Sequence, residues 1–313
     1  MALLDRIFKK KSGRALSEGR VSTDLFDKEF LGRLDTLALM SRRAKGGVRR
    51  GERRSKKRGS GVEFADHRAY VPGDDIRFLD IGVYQRFGKL LLRLFEEEED
   101  LSLYFLIDTS ASMAMNESKK LNQAARVTAA LAYVGLSGLD RVSVVALGDE
   151  IKGRLTPTRG KQRVFRVLRF LSELQASGAT DLRQALTSFV GQNKRRGLTV
   201  LLTDLFDPRG FEAGLNVLRF NRFDVVVLQL VDPTDGQLGV SGDLTLVDVE
   251  TGETREATMT AELRERLRER VRTRQQEIAR FCASRGVLHL EVNVNRPFDE
   301  VVLSVLRAGG LLR

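Results

Sequence analysis

The stretch LSLYFLIDTSASM, residues 101–113, decides how this chain folds. Its first eight residues, LSLYFLID, form a nearly continuous apolar run closed by an acid, as expected of a strand covered on both faces. A Ser-rich loop follows, and then KKLNQAARVTAALAYVGLSG (119–138), whose apolar spacing and alanine content predict a helix. The alternation continues toward the C-terminus. RVSVVALG (141–148), LTVLLTDLF (198–206), DVVVLQLVD (224–232) and VLHLEVNV (287–294) read as strands. RVFRVLRFLSEL (163–174), DLRQALTSFVGQNKRR (181–196), FEAGLNVLRFN (211–221), AELRERLRERVRTRQQEIARFCASRG (261–286) and FDEVVLSVLRAGG (298–310) read as helices. The order predicts an α/β domain over 101–313, a mostly parallel sheet with helices on both faces. LTLVDVETGETREATM (244–259) breaks the rhythm with two alternating stretches around Thr251-Gly252. It predicts a β-hairpin inserted near 240–260.

Working back toward the N-terminus, residues 61–100 mix turn signals such as Pro72-Gly73-Asp74-Asp75 with short apolar stretches. They read as a strand and turn region, with KLLLRLFE (89–96) the clearest strand. Residues 1–60 carry 18 Lys/Arg against 7 Asp/Glu, which accounts for the whole formal charge of +11, since 35 of each sign remain beyond them. The densest part, RRAKGGVRRGERRSKKRGSG (42–61), packs like charges among glycines, so residues 1–60 are expected to be a basic, largely flexible segment. Such a segment could meet phosphates or an acidic protein surface. It offers no aromatic ring within 42–61 for bases to stack on, which weighs against nucleic acid.

Composition excludes several classes. With 42% hydrophobic and 30% charged residues and only five prolines in 313, the chain is neither disordered throughout nor collagen-like. No apolar run approaches the roughly 20 residues a membrane-crossing helix needs. The opening MALLDRIFKKKSGR turns from apolar to basic, the reverse of a secretory signal. One cysteine, Cys282, forms no internal disulfide, and a reducing cytoplasm is the expected compartment.

In open α/β sheets ligands sit beyond the carboxyl ends of the strands. Three oxygen-rich junctions fall there: Asp108-Thr109-Ser110-Ala111-Ser112, Gly178-Ala179-Thr180-Asp181, and Thr203-Asp204. Their donors are carboxylates and hydroxyls with no imidazole or thiolate nearby, so the implied cation is hard: Mg²⁺ first, then Mn²⁺ or Ca²⁺. The competing explanation is helix capping, which Ser and Asp at such junctions commonly perform, and Asp181 is a candidate for it. His67 and His289 are far apart in sequence and read as structural; Cys282 reads as a small core residue.

DTSAS (108–112), the Thr180 of GATD and the Asp204 of LLTD resemble the three-part metal-ion-dependent adhesion site of von Willebrand factor A-like domains, a Rossmann-like fold. GSGVEFADHRAYVPGDDIRFLDI (59–81) followed by FEEEEDLSLYFLIDTSASM (95–113) resembles the bacterial family catalogued as domain of unknown function 58, whose members are usually encoded beside a MoxR-type AAA+ ATPase. The resemblance covers roughly residues 40–313. It implies that Ser110, Ser112 and Thr180 coordinate the metal directly while Asp108 and Asp204 act largely through bound water. It also implies a place for a carboxylate donated by a client protein, and hence a non-enzymatic adaptor working with the ATPase, to which the basic segment or the hairpin adds contacts. One departure stands out: Ile81 follows Asp80 where the family commonly has tryptophan, and the chain has none.

An enzyme of the haloacid-dehalogenase type is the alternative, with Asp108 as nucleophile and Asp204 and Asp207 on the metal. It is opposed by Ser110, which stands where a second aspartate would serve as acid and base. A nucleic-acid-binding protein acting through residues 42–58 is the third possibility. Arg68, Asp74, Asp75 and Arg77 could form a partner surface, but a salt-bridged turn fixing the front region to the A-like domain is the favoured reading.

Overall fold

Phe30, Leu34, Leu37 and Ala38 recur at helical spacing and form a buried stripe on a segment whose charge alone suggested no packed element. In the computed structural model, which describes residues 19–47, 58–59, 63–96, 101–235, 242–248, 250 and 252–309, the chain opens with strand β1 (Gly19–Arg20) and helix α1 (Lys28–Gly47). The expectation of a flexible 1–60 is therefore corrected over 19–47; residues 1–18, 48–57 and 60 lie outside the described residues. Helix α1, as far as Ala44, belongs to the same compact unit as residues 101–313. It is tied there by Asp35, which accepts hydrogen bonds from Tyr133 and from Lys161 at 2.9 Å. Truncating Leu34, which is 0% exposed, to alanine costs about 2–5 kcal/mol.

Residues 45–100 form a second unit. Strands β2 (Arg58–Gly59), β3 (Glu63–Ala69) and β4 (Leu91–Glu96) make an antiparallel sheet with β4 in the centre. Helix α2 (Ile81–Phe87) is N-capped by Asp80, whose carboxylate accepts from the Val83 amide, and ends at Gly88 in the left-handed conformation.

The main sheet belongs to the first unit. It comprises β5 (Ser102–Asp108), β6 (Arg141–Leu147), β7 (Ile151–Thr158), β9 (Leu198–Thr203), β10 (Asp224–Val231) and β13 (Leu288–Asn293), in the spatial order β13-β10-β9-β5-β6-β7. All neighbours are parallel except β6 and β7. The short β8 (Gln175–Ala176) pairs with β1 instead. Strand alternation divides the core between the two faces: Leu103, Phe105 and Ile107 join one apolar cluster, Tyr104 and Leu106 the other. Helices α3 (Met115–Ser137), α4 (Val164–Ser172) and α8 (Phe298–Ala308) cover the first face with α1. Helices α5 (Leu182–Gln192), α6 (Glu212–Phe220) and α7 (Ala261–Ser284) cover the second. Cys282 is buried there, and burial pushes its thiol up to about 11. The inserted hairpin consists of β11 (Gly242–Val247) and β12 (Thr254–Met259), as its alternation predicts.

This topology positions the site. From β5 the chain passes to α3 on one face, and from the adjacent β9 it passes to α6 on the other. The connections diverge and leave a crevice at the carboxyl ends of β5 and β9, where Asp108 and Asp204 stand.

Candidate functional site

Asp108 ends β5 and is 1% exposed. Its Oδ1 accepts from the Ser110 amide at 2.9 Å and its Oδ2 from the Thr203 hydroxyl at 2.6 Å, so the ends of both strands are pinned through one carboxylate. Two bonds do not offset the loss of water: burial, and then the nearby charge of Asp204, push Asp108 up to about 6. Beside it the Ser110 and Ser112 hydroxyls are buried and 3.0 Å apart. The intervening backbone is held by the Ala111 amide, which donates to the Gly178 carbonyl at 2.9 Å.

Asp204 is 2% exposed and faces a cation that no motif in the sequence announces. The Lys120 ammonium, on a side chain 1% exposed, donates to Asp204 Oδ2 at 3.1 Å and pairs with Asp235 Oδ2 at 2.8 Å. Burial pulls the Lys120 pKa down, but the two carboxylates outweigh it and the net shift is upward. The ammonium therefore stays charged. Asp204 Oδ1 also accepts from the Phe206 amide at 3.2 Å.

Thr180 arrives on the loop before α5. Gly178, at φ 70°, supplies the left-handed turn there, and backbone bonds tie the loop to the ends of both neighbouring strands: Ser177 N–H to Thr109 C=O and Asp181 N–H to Gly148 C=O. Asp181 is the N-cap of α5, accepting from the Gln184 amide at 2.9 Å, and it pairs with Arg209. Its capping role is thus realised. Thr180 is engaged by the hairpin: its amide donates to Glu250 Oε2 at 3.0 Å and its hydroxyl to Glu250 Oε1 at 3.3 Å. At Thr180, the place expected to be open to a partner's acid is met by the chain's own carboxylate.

The donor set fits a hard cation in kind. Neighbouring ligands of an octahedral Mg²⁺ with bonds near 2.0–2.1 Å lie about 3 Å apart, the separation of the two serine hydroxyls. The two acids beside them leave the crevice with negative charge that Lys120 only partly balances. Among the described residues no cluster of three or more His, Cys, Asp or Glu is arranged to hold a metal. Any ion here must lean on hydroxyls.

Asp108, Ser110, Ser112 and Asp204 thus meet at one crevice, and the Thr180 loop is bonded to its rim. Thr203, named from sequence with Asp204 as a strand-end junction, takes its place there by bonding Asp108. Lys120, Asp235 and Glu250 were not singled out from sequence, being brought in over long sequence distances. Asp207 is committed to backbone, accepting from the amides of Leu182 at 2.7 Å and Arg209 at 2.8 Å. Of the two histidines, His289 hydrogen-bonds Gln229 on the adjoining strand and His67 bonds Asp80, both at 2.9 Å. Arg68 pairs with Asp74, and Arg77 with Asp75, as a salt-bridged turn.

A mostly parallel α/β sheet with a polar crevice at the ends of two adjacent strands is the class to which this molecule belongs. The chain is a member of the family described as protein of unknown function DUF58, whose model matches residues 66–277. An uncharacterized protein of Mycobacterium tuberculosis, Rv1480, is 26% identical over 278 residues, which cover 87% of each chain. A protein of Mycobacterium avium, MAV169, also uncharacterized, is 31% identical over 116 residues, covering 37% of this chain and 68% of its own. Among solved structures, a conserved hypothetical protein, BatB, from Bacteroides thetaiotaomicron aligns with 67% of this chain and 99% of its own at a TM-score of 0.42 and 14% identity. An aerotolerance-related membrane protein from Bacteroides fragilis aligns with 66% of this chain and 98% of its own at a TM-score of 0.41 and 14% identity. Among the described residues, no helix is long and apolar enough to cross a membrane.

Proposed function

We propose that the protein is a metal-dependent adaptor, without catalytic activity of its own, that grips acidic residues of client proteins and works with a MoxR-type AAA+ ATPase in their assembly, activation or remodelling. The observation that carries this reading is the buried Ser110–Ser112 hydroxyl pair beside Asp108 and Asp204 at the sheet crevice. Ser110, Ser112 and Thr180 would hold Mg²⁺, or Mn²⁺ or Ca²⁺, directly, and Asp108 and Asp204 would support it through water. The bound ion supplies a positive centre that accepts a carboxylate. Asp108 and Asp204 place negative charge where it attracts the cation, and Lys120 offsets part of it by pairing with Asp204 and with the partly buried Asp235. The lone buried thiol of Cys282 suits action in the cytoplasm.

Mg²⁺ titration by calorimetry tests the first half. Wild type is expected to bind, and the Ser110→Ala/Ser112→Ala double variant to lose at least tenfold in affinity while keeping its circular dichroism. Co-purification with the ATPase or a client, compared in Mg²⁺ and in chelator, tests the second. Equal recovery in both conditions from wild type and double variant would sink the adaptor reading; phosphatase turnover abolished by Asp108→Asn would replace it with an enzyme.

A further inference from the structure

The inserted hairpin carries one side chain into the crevice region. Its strands pair in unbroken register from Gly242 opposite Met259 to Val247 opposite Thr254, and Met259 at its base and Leu246 and Asp248 near its turn are buried. At the tip, the Asp248 amide donates to the Glu253 carbonyl, the Gly252 amide to the Asp248 carbonyl, and the Glu250 amide to the Asp248 carboxylate, all between 2.8 and 2.9 Å. These bonds tie Asp248, Glu250, Gly252 and Glu253 to one another. Glu250 then takes the Thr180 amide on one carboxylate oxygen and the Thr180 hydroxyl on the other. Two donors on one residue, matched to two oxygens of one carboxylate, select a carboxylate over a single-point acceptor. The receiving loop is rigid, being bonded to both neighbouring strand ends.

We infer that the hairpin tip is a built-in occupant of the partner's carboxylate seat, and that the partner is a protein presenting a Glu or Asp from a tight turn, which must displace Glu250 to bind. This rests on the reading that the crevice receives a partner's acid. It makes the hairpin a competitor, where the sequence suggested an added contact. The competition is intramolecular, so the effective concentration of the tip lies in the millimolar range or above, and a weak carboxylate contact is enough to hold the seat.

The full-length chain tests this with two readouts. In Glu250→Ala, hydrogen exchange at the Thr180 amide is expected to quicken at least tenfold, with the Leu106 amide in the central strand unchanged. A disulfide-closed peptide spanning residues 242–259 is expected to bind Glu250→Ala at least tenfold more tightly than wild type. The same peptide carrying Glu250→Gln should not bind. Binding should be lost in Thr180→Ala/Glu250→Ala and restored in Thr180→Ser/Glu250→Ala, which keeps the hydroxyl. Unaltered exchange at Thr180, equal peptide affinity for wild type and Glu250→Ala, or binding that survives Thr180→Ala overturns the inference. Repeating the titration in chelator separates the two readings. Binding that persists there upholds the occupied seat and removes the metal from the proposed function, whereas binding lost there upholds both.

Discussion

Two charge clusters in this molecule use the same chemistry in opposite surroundings. In the small unit, Arg68 grips Asp74 with two hydrogen bonds of 2.7 and 2.6 Å, and both side chains remain partly in water, 40% and 21% exposed. At the crevice, Lys120 holds Asp204 and Asp235 at 3.1 and 2.8 Å with its side chain 1% exposed. The better geometry belongs to the pair with less at stake. Solvent already satisfies Arg68 and Asp74 when they part, whereas nothing replaces the ammonium for the buried carboxylates. Burial, more than bond length, ranks the charges of this protein.

The comparison breaks most visibly at Lys120. Lys120→Met leaves Asp204 buried without its cation and is expected to cost about 3–5 kcal/mol in urea unfolding. Adding Asp204→Asn should recover part of that loss; a cost under about 1 kcal/mol for the single variant would show that the ammonium is not needed there. Asp108→Asn should act in the other direction. Because the native carboxyl is raised to about 6 from an ordinary 3.8, the native state binds the extra proton in that window, and stability falls as pH rises through it. The cost is absent below 3.8 and full above 6. Replacing the charge is expected to stabilise the metal-free protein at pH 7 by up to about 3 kcal/mol, a gain that disappears near pH 4, while Mg²⁺ affinity is lost. Thr203→Val removes the 2.6 Å bond to Asp108 and should cost about 1–2 kcal/mol, with the Asp108 titration followed by NMR moving above 6. Arg68→Ala completes the series: its urea midpoint should be indistinguishable from wild type.

The fold was largely readable because its strands are buried on both faces, so that LSLYFLID, LTVLLT and DVVVLQLV announce themselves as apolar runs. Strand β7, IKGRLTPT, escaped because it is an antiparallel edge strand, mostly half-buried or exposed, with a proline near its end. Helix α1 escaped for a different reason. Its stripe of Phe30, Leu34 and Leu37 is ordinary, but charge counted over sixty residues merged it with the basic run that follows. At the site, the DTSAS and LLTD ends were legible because strand ends are where sheet topology gathers polar groups. Lys120, Asp235 and Glu250 were not, since each meets its partner across 70 or more residues and only the folded chain brings them together.

Asn116, Glu117 and Ser118 begin helix α3 with φ of 51°, 61° and 60°, three successive non-glycine residues in left-handed backbone, which costs about 1–2 kcal/mol for each such residue. The Asn116 side-chain amide, bonded at 2.9 Å both to Asp232 and to the Thr234 hydroxyl, fastens that turn to the segment that also supplies Asp235 to Lys120. Segment 232–235 therefore braces the left-handed turn and supplies one counter-ion of the buried ammonium, so backbone conformation and charge at the mouth of the sheet share one support.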